Sequence, residues 1–311
     1  MSNELKPDGF ELQPDGMGDF AAEEAPSEEA AHLVPAIREL PQDKEFSPAA
    51  FYALQISDGQ PSSPPQPLNA LLGQGLFQSL TDVHLFGRGS ASEPWLEIGP
   101  LSPEPVQILV AQELFPASGQ ALAEDDLGMF EMVAGRIAKT LKRQKQPPAE
   151  TPAQAAQRSS GLAALKGRFR DALTLKLTGS FDLAQVIDCC LCLGMRRAGT
   201  AFGWFGVMAS DEPTFTVSST APLTAGARGP AQAVSFTLQP AKVTQPGKAL
   251  ERMVTAMNYF KRRIAGNIVE ASGQPPAEGV ARGEHPLLAA AVKKITDAGL
   301  RPGQVVTRRL A

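Results

Sequence analysis

Two stretches of this chain, LGMFEMVAGRIAKTL from Leu127 to Leu141 and LERMVTAMNYFKRRI from Leu250 to Ile264, lie 123 positions apart and space their large apolar side chains alike. In the first, positions 127, 130, 133, 134, 137, 138 and 141 fall on one face of a helix. Such a stripe has to be buried against another layer. A chain that repeats the helix needs that layer twice, so two packing units are expected.

The segments around each helix agree. Ahead of the first come the strand-like FYALQI, the helical LNALLGQGLF with Leu68, Leu71 and Leu72 on one stripe and Gly75 as its cap, and then DVHLFGR, PWLEI and VQILVAQEL. Ahead of the second come LTLKLT, FDLAQVIDCCLCLGM, TAFGWFGVM, FTVSST and AVSFTLQ. Phe51 to Leu173 is an offset of 122, Val83 to Phe202 of 119 and Leu127 to Leu250 of 123, as a tandem duplication with small loop insertions would give. Each copy closes on a weaker strand and helix, ETPAQAAQ with GLAALKGRF in one and NIVEASG with HPLLAAAVKKI in the other. Strand, helix, strands and helix in this order predict an α+β fold of two tandem units, each an antiparallel sheet backed on one face by helices. The expected divisions are a disordered acidic tail over 1–46, a first unit over 47–168 and a second over 169–311.

The tail reading comes from charge and composition. The net charge of −4 conceals 12 acids against Lys6, Arg38 and Lys44 in the first 46 residues, which leaves the remaining 265 at +5. With few large apolar groups such a segment cannot offset the entropy of ordering, although EEAAHLVPAIREL within it could become a short helix on contact with a partner. A mildly basic body with 6% aromatics lacks the basic, stacking face of a nucleic-acid binder. The apolar stretches are too short and too broken by Gly and Pro to span a membrane. The opening MSNELKPDGFELQPDGMG does not look like a signal peptide, and Cys189, Cys190 and Cys192 are too close together to staple a fold. A cytoplasmic protein is the expectation.

Motifs for catalysis are lacking. GRGSAS has no strand-to-helix context for a phosphate loop, and His32, His84 and His285 are too scattered for a triad or a zinc site. No enzyme activity, cofactor or metal is expected. Cys189 and Cys192 form a C-x-x-C without a second ligand pair, and burial in a helix accounts for them. The basic runs LKRQK and FKRR end the two long helices, where cations offset the helix dipole.

The strands carry the functional signal. In LTLKLT, Leu173, Leu175 and Leu177 alternate with Thr174, Lys176 and Thr178, so the second sheet should show a polar outer face. VQILVAQ points Val106, Ile108 and Val110 inward and still leaves Leu109 outside; FYALQI places Leu54 and Ile56 inward and Phe51 and Ala53 outside. Phe202 and Trp204 on one side of their strand, with Phe205 and Val207 on the other, predict cover on both faces. An apolar outer face marks an interaction site, unless the two copies cover each other.

The run PLNALLGQGLFQSLTDVHLFGR from Pro67 to Arg88 resembles the C-terminal FtsZ-binding domain of the bacterial cell-division protein ZipA. So do VQILVAQ with its following helix, Thr151-Pro152 at the start of the last helix and, more faintly, LERMVTAMNYFKRRIAGNIVEASG of the second copy. The resemblance spans about residues 47 to 311 and implies a six-stranded antiparallel sheet backed by three helices, whose bare face receives the C-terminal peptide of FtsZ. It places the groove on Phe51, Ala53, Val83 and Leu109, with Leu85 beside Val83. Family members carry a membrane anchor and one such domain, whereas this chain has an acidic tail and two; the loop from Ile98 to Val106 is also short, with Leu101 the nearest counterpart of a groove residue expected there. The function implied is a non-catalytic adaptor in septum formation. The alternative is a scaffold whose two sheets cover each other, with a partner other than FtsZ.

Overall fold

A computed structural model describes residues 45–57, 82–98, 105–205, 212–224 and 226–311. Nearly all of the acidic tail, the helix expected over Leu68 to Leu72 with its Gly75 cap, Leu101 and Val207 lie outside the described residues. The fold is α+β, with two antiparallel sheets and, among the described residues, six α-helices.

In the first sheet β1 (Phe51–Ser57), β2 (Val83–Arg88), β3 (Leu96–Glu97), β4 (Gln107–Glu113) and β5 (Gln144–Lys145) lie in the order β3-β2-β4-β1-β5. Helix α1 (Glu124–Thr140) covers one face, burying Leu127, Phe130, Ala134, Ile137 and Ala138. Phe130 meets the edge of Tyr52 at 5.7 Å, beside Leu54, Ile56, Ile108 and Val110. Each such side chain contributes about 1.5–3 kcal/mol when fully buried. No glycine ends α1. Lys142 takes the left-handed position (φ 52°), and the Lys142 and Arg143 amides donate to the carbonyls of Lys139 and Ala138. That turn delivers the Arg143 guanidinium to the carbonyl of Val106, 3.0 Å away, at the entry to β4. Helix α2 (Pro152–Ala163) begins at Thr151, whose hydroxyl accepts from the Gln154 amide while the Gln154 side chain accepts from the Thr151 amide.

The second sheet contains β6 (Leu173–Asp182), β7 (Arg196–Ala198), β8 (Ala201–Trp204), β9 (Phe215–Ser219), β10 (Pro230–Leu238) and β11 (Asn267–Glu270), in the order β11-β6-β10-β9-β8-β7. Helices α3 (Leu183–Cys192) and α4 (Pro246–Ile264) pack on it. Phe260 of α4 meets Phe236 edge-on at 5.1 Å, and Cys189 and Cys190 of α3 are buried in the same core. Burial pushes the Cys189 thiol up to about 12 and Cys190 well above its usual range, which leaves neither a ready nucleophile.

The repeat holds in part. Leu54 pairs with Val110 and Leu175 with Phe236, so β1, β4 and β5 correspond to β6, β10 and β11 in order and pairing. The offset between β1 and β6 that keeps inward residues inward is 121, matching Leu54 to Leu175; the value of 122 read from Phe51 and Leu173 joins an outward residue to an inward one. The next strand differs as well. β2 lies beside β4, whereas β9, not β8, lies beside β10, so the equivalence of Val83 with Phe202 does not survive.

The cores also cross between the halves. Helix α5 (Pro286–Asp297) contributes Ile295 to the first core, and helix α6 (Val305–Leu310) contributes Val306 and Leu310, joined by Ala241 and Leu300. The Leu310 carbonyl accepts from the Gly167 amide at 2.7 Å. α6, β5 and β7 were not expected from the sequence, being six, two and three residues long, and ETPAQAAQ, expected as the closing strand of the first copy, opens helix α2 instead.

Candidate functional site

Antiparallel pairing fixes which side chains share the face of the first sheet turned away from α1. Phe51 pairs with Glu113, Ala53 with Ala111 and Gln55 with Leu109; across β4, His84 pairs with Ala111, Phe86 with Leu109 and Arg88 with Gln107. Paired residues project on the same side. Phe51, Ala53 and Leu109 therefore stand on the outer face, as the alternation predicts. Val83 and Leu85 do not. Val83 pairs with Gln112 and Leu85 with Val110, on the side of Tyr52 and Leu54, and both are buried in the helix-backed core. In β2 the outward positions are His84, Phe86 and Arg88. Only His84 and Arg88 of these three are polar, and the buried, apolar Phe86 between them hides the alternation that Thr174, Lys176 and Thr178 show plainly in β6.

Over Phe51, Ala53, Gln55 and Leu109 runs an open groove of about 680 Å³. Around it stand Phe46, Pro48, Ala49 and Trp95, together with Gln146, Pro147, Ala149 and Glu150 and with Arg158 of α2. Phe46 packs on Phe51 at 5.9 Å and on Phe86 at 5.4 Å between ring centres. As a result Phe51 and Leu109 are 5% and 8% exposed, and Ala53 is half-buried. The face is apolar, but walls of its own module narrow it. Sequence reading missed those walls because they come from residues up to 110 positions apart, with no periodicity to mark them.

Two arginines brace the groove. Arg88 lies over the Trp95 ring at 4.2 Å, with its Nε donating to Gln107 Oε1 (2.7 Å) and Nη1 to the Ala91 carbonyl (3.0 Å). Arg158 pairs with Glu150 and donates to the carbonyls of Pro48 and, at 3.1 Å, Phe51. Both cations hold the walls in place and present planar, charged edges at the rim.

At the far end of the same face is a charged cluster. Glu113 is fully buried; Arg309 of α6 pairs with it and stands 3.5 Å from Asp82, while its Nη1 also donates to the Phe115 carbonyl (3.1 Å). His84 lies between two carboxylates, Nε2 at 2.8 Å from Glu113 and Nδ1 at 2.7 Å from Glu97. Burial alone would lower the His84 pKa, but the Glu113 and Glu97 carboxylates on either side of the ring outweigh it and raise the pKa to about 9. His84 is thus a cation at neutral pH, and α6 closes this end of the face.

The second sheet does not cover the groove: among the described residues its lining all comes from residues 46–158. The second sheet's outward residues, Thr174, Lys176, Thr178, Thr216, Ser218, Ser235 and Thr237, are half-exposed. Phe202 and Trp204 are buried inward as expected, and Phe205 lies under the Arg196 guanidinium at 3.7 Å. Among the described residues no group of three or more His, Cys, Asp or Glu side chains is placed to hold a metal ion, and no helix is long and apolar enough to cross a membrane. No family model matches the chain, and no curated protein matches it either.

Proposed function

We propose that this protein is a non-catalytic, cytoplasmic adaptor of the bacterial cell-division machinery that docks a short peptide segment of a partner along the groove of its first sheet. One observation carries the reading: the sheet face turned away from the helices is apolar, and it is walled into a groove by its own module rather than sealed by the other half. Its volume lies within the usual range for ligand clefts, and its apolar floor with a few polar groups at the rim suits side-chain anchors flanked by peptide backbone. The likeness of the strands and first long helix to the ZipA family makes the C-terminal peptide of FtsZ the first partner to test. The second module buttresses the first through α6.

Seating three or four apolar side chains leaves a few kcal/mol after the cost of ordering a short peptide, so binding is expected in the micromolar range or weaker. Titration of the full chain with the FtsZ tail peptide, followed by NMR, should shift the Ala53 and Leu109 methyl signals. Ala53→Glu, at a half-buried position, should abolish the shift while the protein stays folded. Methyl signals that stay put at saturating peptide would remove FtsZ as the partner.

A further inference from the structure

The described chain begins at the groove itself. Glu45 forms a β-bridge with Leu96 and an ion pair with Arg301, the Phe46 amide donates to the Trp95 carbonyl at 3.0 Å, and Phe46 is the first groove wall. The acidic segment that precedes it is therefore tethered at the rim. Within that segment, EEAAHLVPAIREL (28–40) holds Leu33, Val34, Ile37 and Leu40, four large apolar residues in a stretch otherwise poor in them.

We infer that residues 28–40 occupy the groove of their own chain as a competing ligand, which a partner peptide must displace. This rests on the docking reading of the groove. Residues 41–45 separate the segment from the rim and reach up to about 17 Å when extended, whereas the distance across β2, β4 and β1 is about 10 Å. Charge favours the same arrangement: the first 46 residues carry −9 and the rest of the chain +5, and at the groove Arg88 and Arg158 outnumber Glu150, which leaves a net positive rim. A linker this short gives an effective concentration of about 1 mM, so a segment with intrinsic affinity of about 0.1–1 mM fills half to nine-tenths of the grooves and weakens a competitor about 2- to 10-fold.

The test compares the full chain with its Leu33→Asp, Ile37→Asp, Leu40→Asp triple variant. Expected are shifted Ala53 and Leu109 methyl signals in the variant, their return when synthetic peptide 28–40 is added at millimolar concentration, and FtsZ-peptide binding about 2- to 10-fold tighter than to the unaltered chain. Identical methyl signals in the two proteins would overturn the inference. A difference that vanishes on dilution would also overturn it, because the occupant would then be another copy's tail. If the FtsZ peptide binds both proteins equally, this inference fails and the docking function stands. If peptide 28–40 binds and the FtsZ peptide does not, self-occupancy stands and the proposed partner fails.

Discussion

Leu109 and Ser235 hold the same place in their sheets: Leu109 is paired with Gln55 in the first, Ser235 with Lys176 in the second. The same frame sets Ala53 against Thr174 and Ala111 against Thr237. One face is apolar and walled, the other is a lattice of Thr, Ser and Lys, half-exposed. Their helix-backed faces are alike, so packing against α1 and α4 constrains both sequences in one way. The outward faces are free of that demand and differ in composition.

The sharpest test of the difference is electrostatic. Arg309→Ala would leave the fully buried Glu113 with His84 as its one cation among the described residues and remove the ion pair that ties α6 to the end of the first face. A loss of about 3 kcal/mol in urea unfolding is expected, because breaking a buried pair strands a charge. A loss under 1 kcal/mol would show that α6 is not held by this pair.

Next come the two equivalent positions. Leu109→Ala removes an almost fully buried side chain from the groove floor and should cost about 2–3 kcal/mol, whereas Ser235→Ala should stay within about 0.5 kcal/mol. Equal costs would erase the contrast between the faces.

The cluster at His84 adds a pH dependence to the first face. Its pKa rises from an unfolded value of 6.5 to about 9 in the fold, so the stabilisation is complete below pH 6.5 and is lost as pH climbs through 9. With one-fifth of the side chain exposed the effect is on the order of 2 kcal/mol. Urea unfolding at pH 6, 7.5 and 9 should show this decline in the native chain and a flatter response in His84→Gln.

Period-two alternation was enough to predict the polar outer face of β6 and the outward stance of Phe51, Ala53 and Leu109, because a strand with one committed face announces the other. β2 misled for the same reason. Val83, Leu85 and Phe86 are all buried, so apolar character no longer tells the sides apart; only pairing with β4 shows that Phe86 faces the groove while Val83 and Leu85 face α1. The long helices could be read to within four residues from their stripes. The exchange of neighbours beside β4 and β10, the walls around the groove and the capture of α6 by the first core all depend on contacts distant in sequence, which no local pattern encodes.

The smallest expected effect probes the second face alone. Thr174 and Thr237 are cross-strand partners whose hydroxyls lie 3.1 Å apart on that face. Thr→Val keeps the shape and the strand propensity and removes the hydroxyl, so on a face open to water the lost bond is largely replaced by hydration. Thr174→Val should therefore change stability by about 0.5 kcal/mol, and the double variant with Thr237→Val should show a coupling of similar size. If the face were covered, a single substitution would leave one hydroxyl buried without its partner and cost about 1–3 kcal/mol, while the double variant would recover much of that loss. Large single effects with strong recovery would place something over the second sheet and make the two faces alike after all.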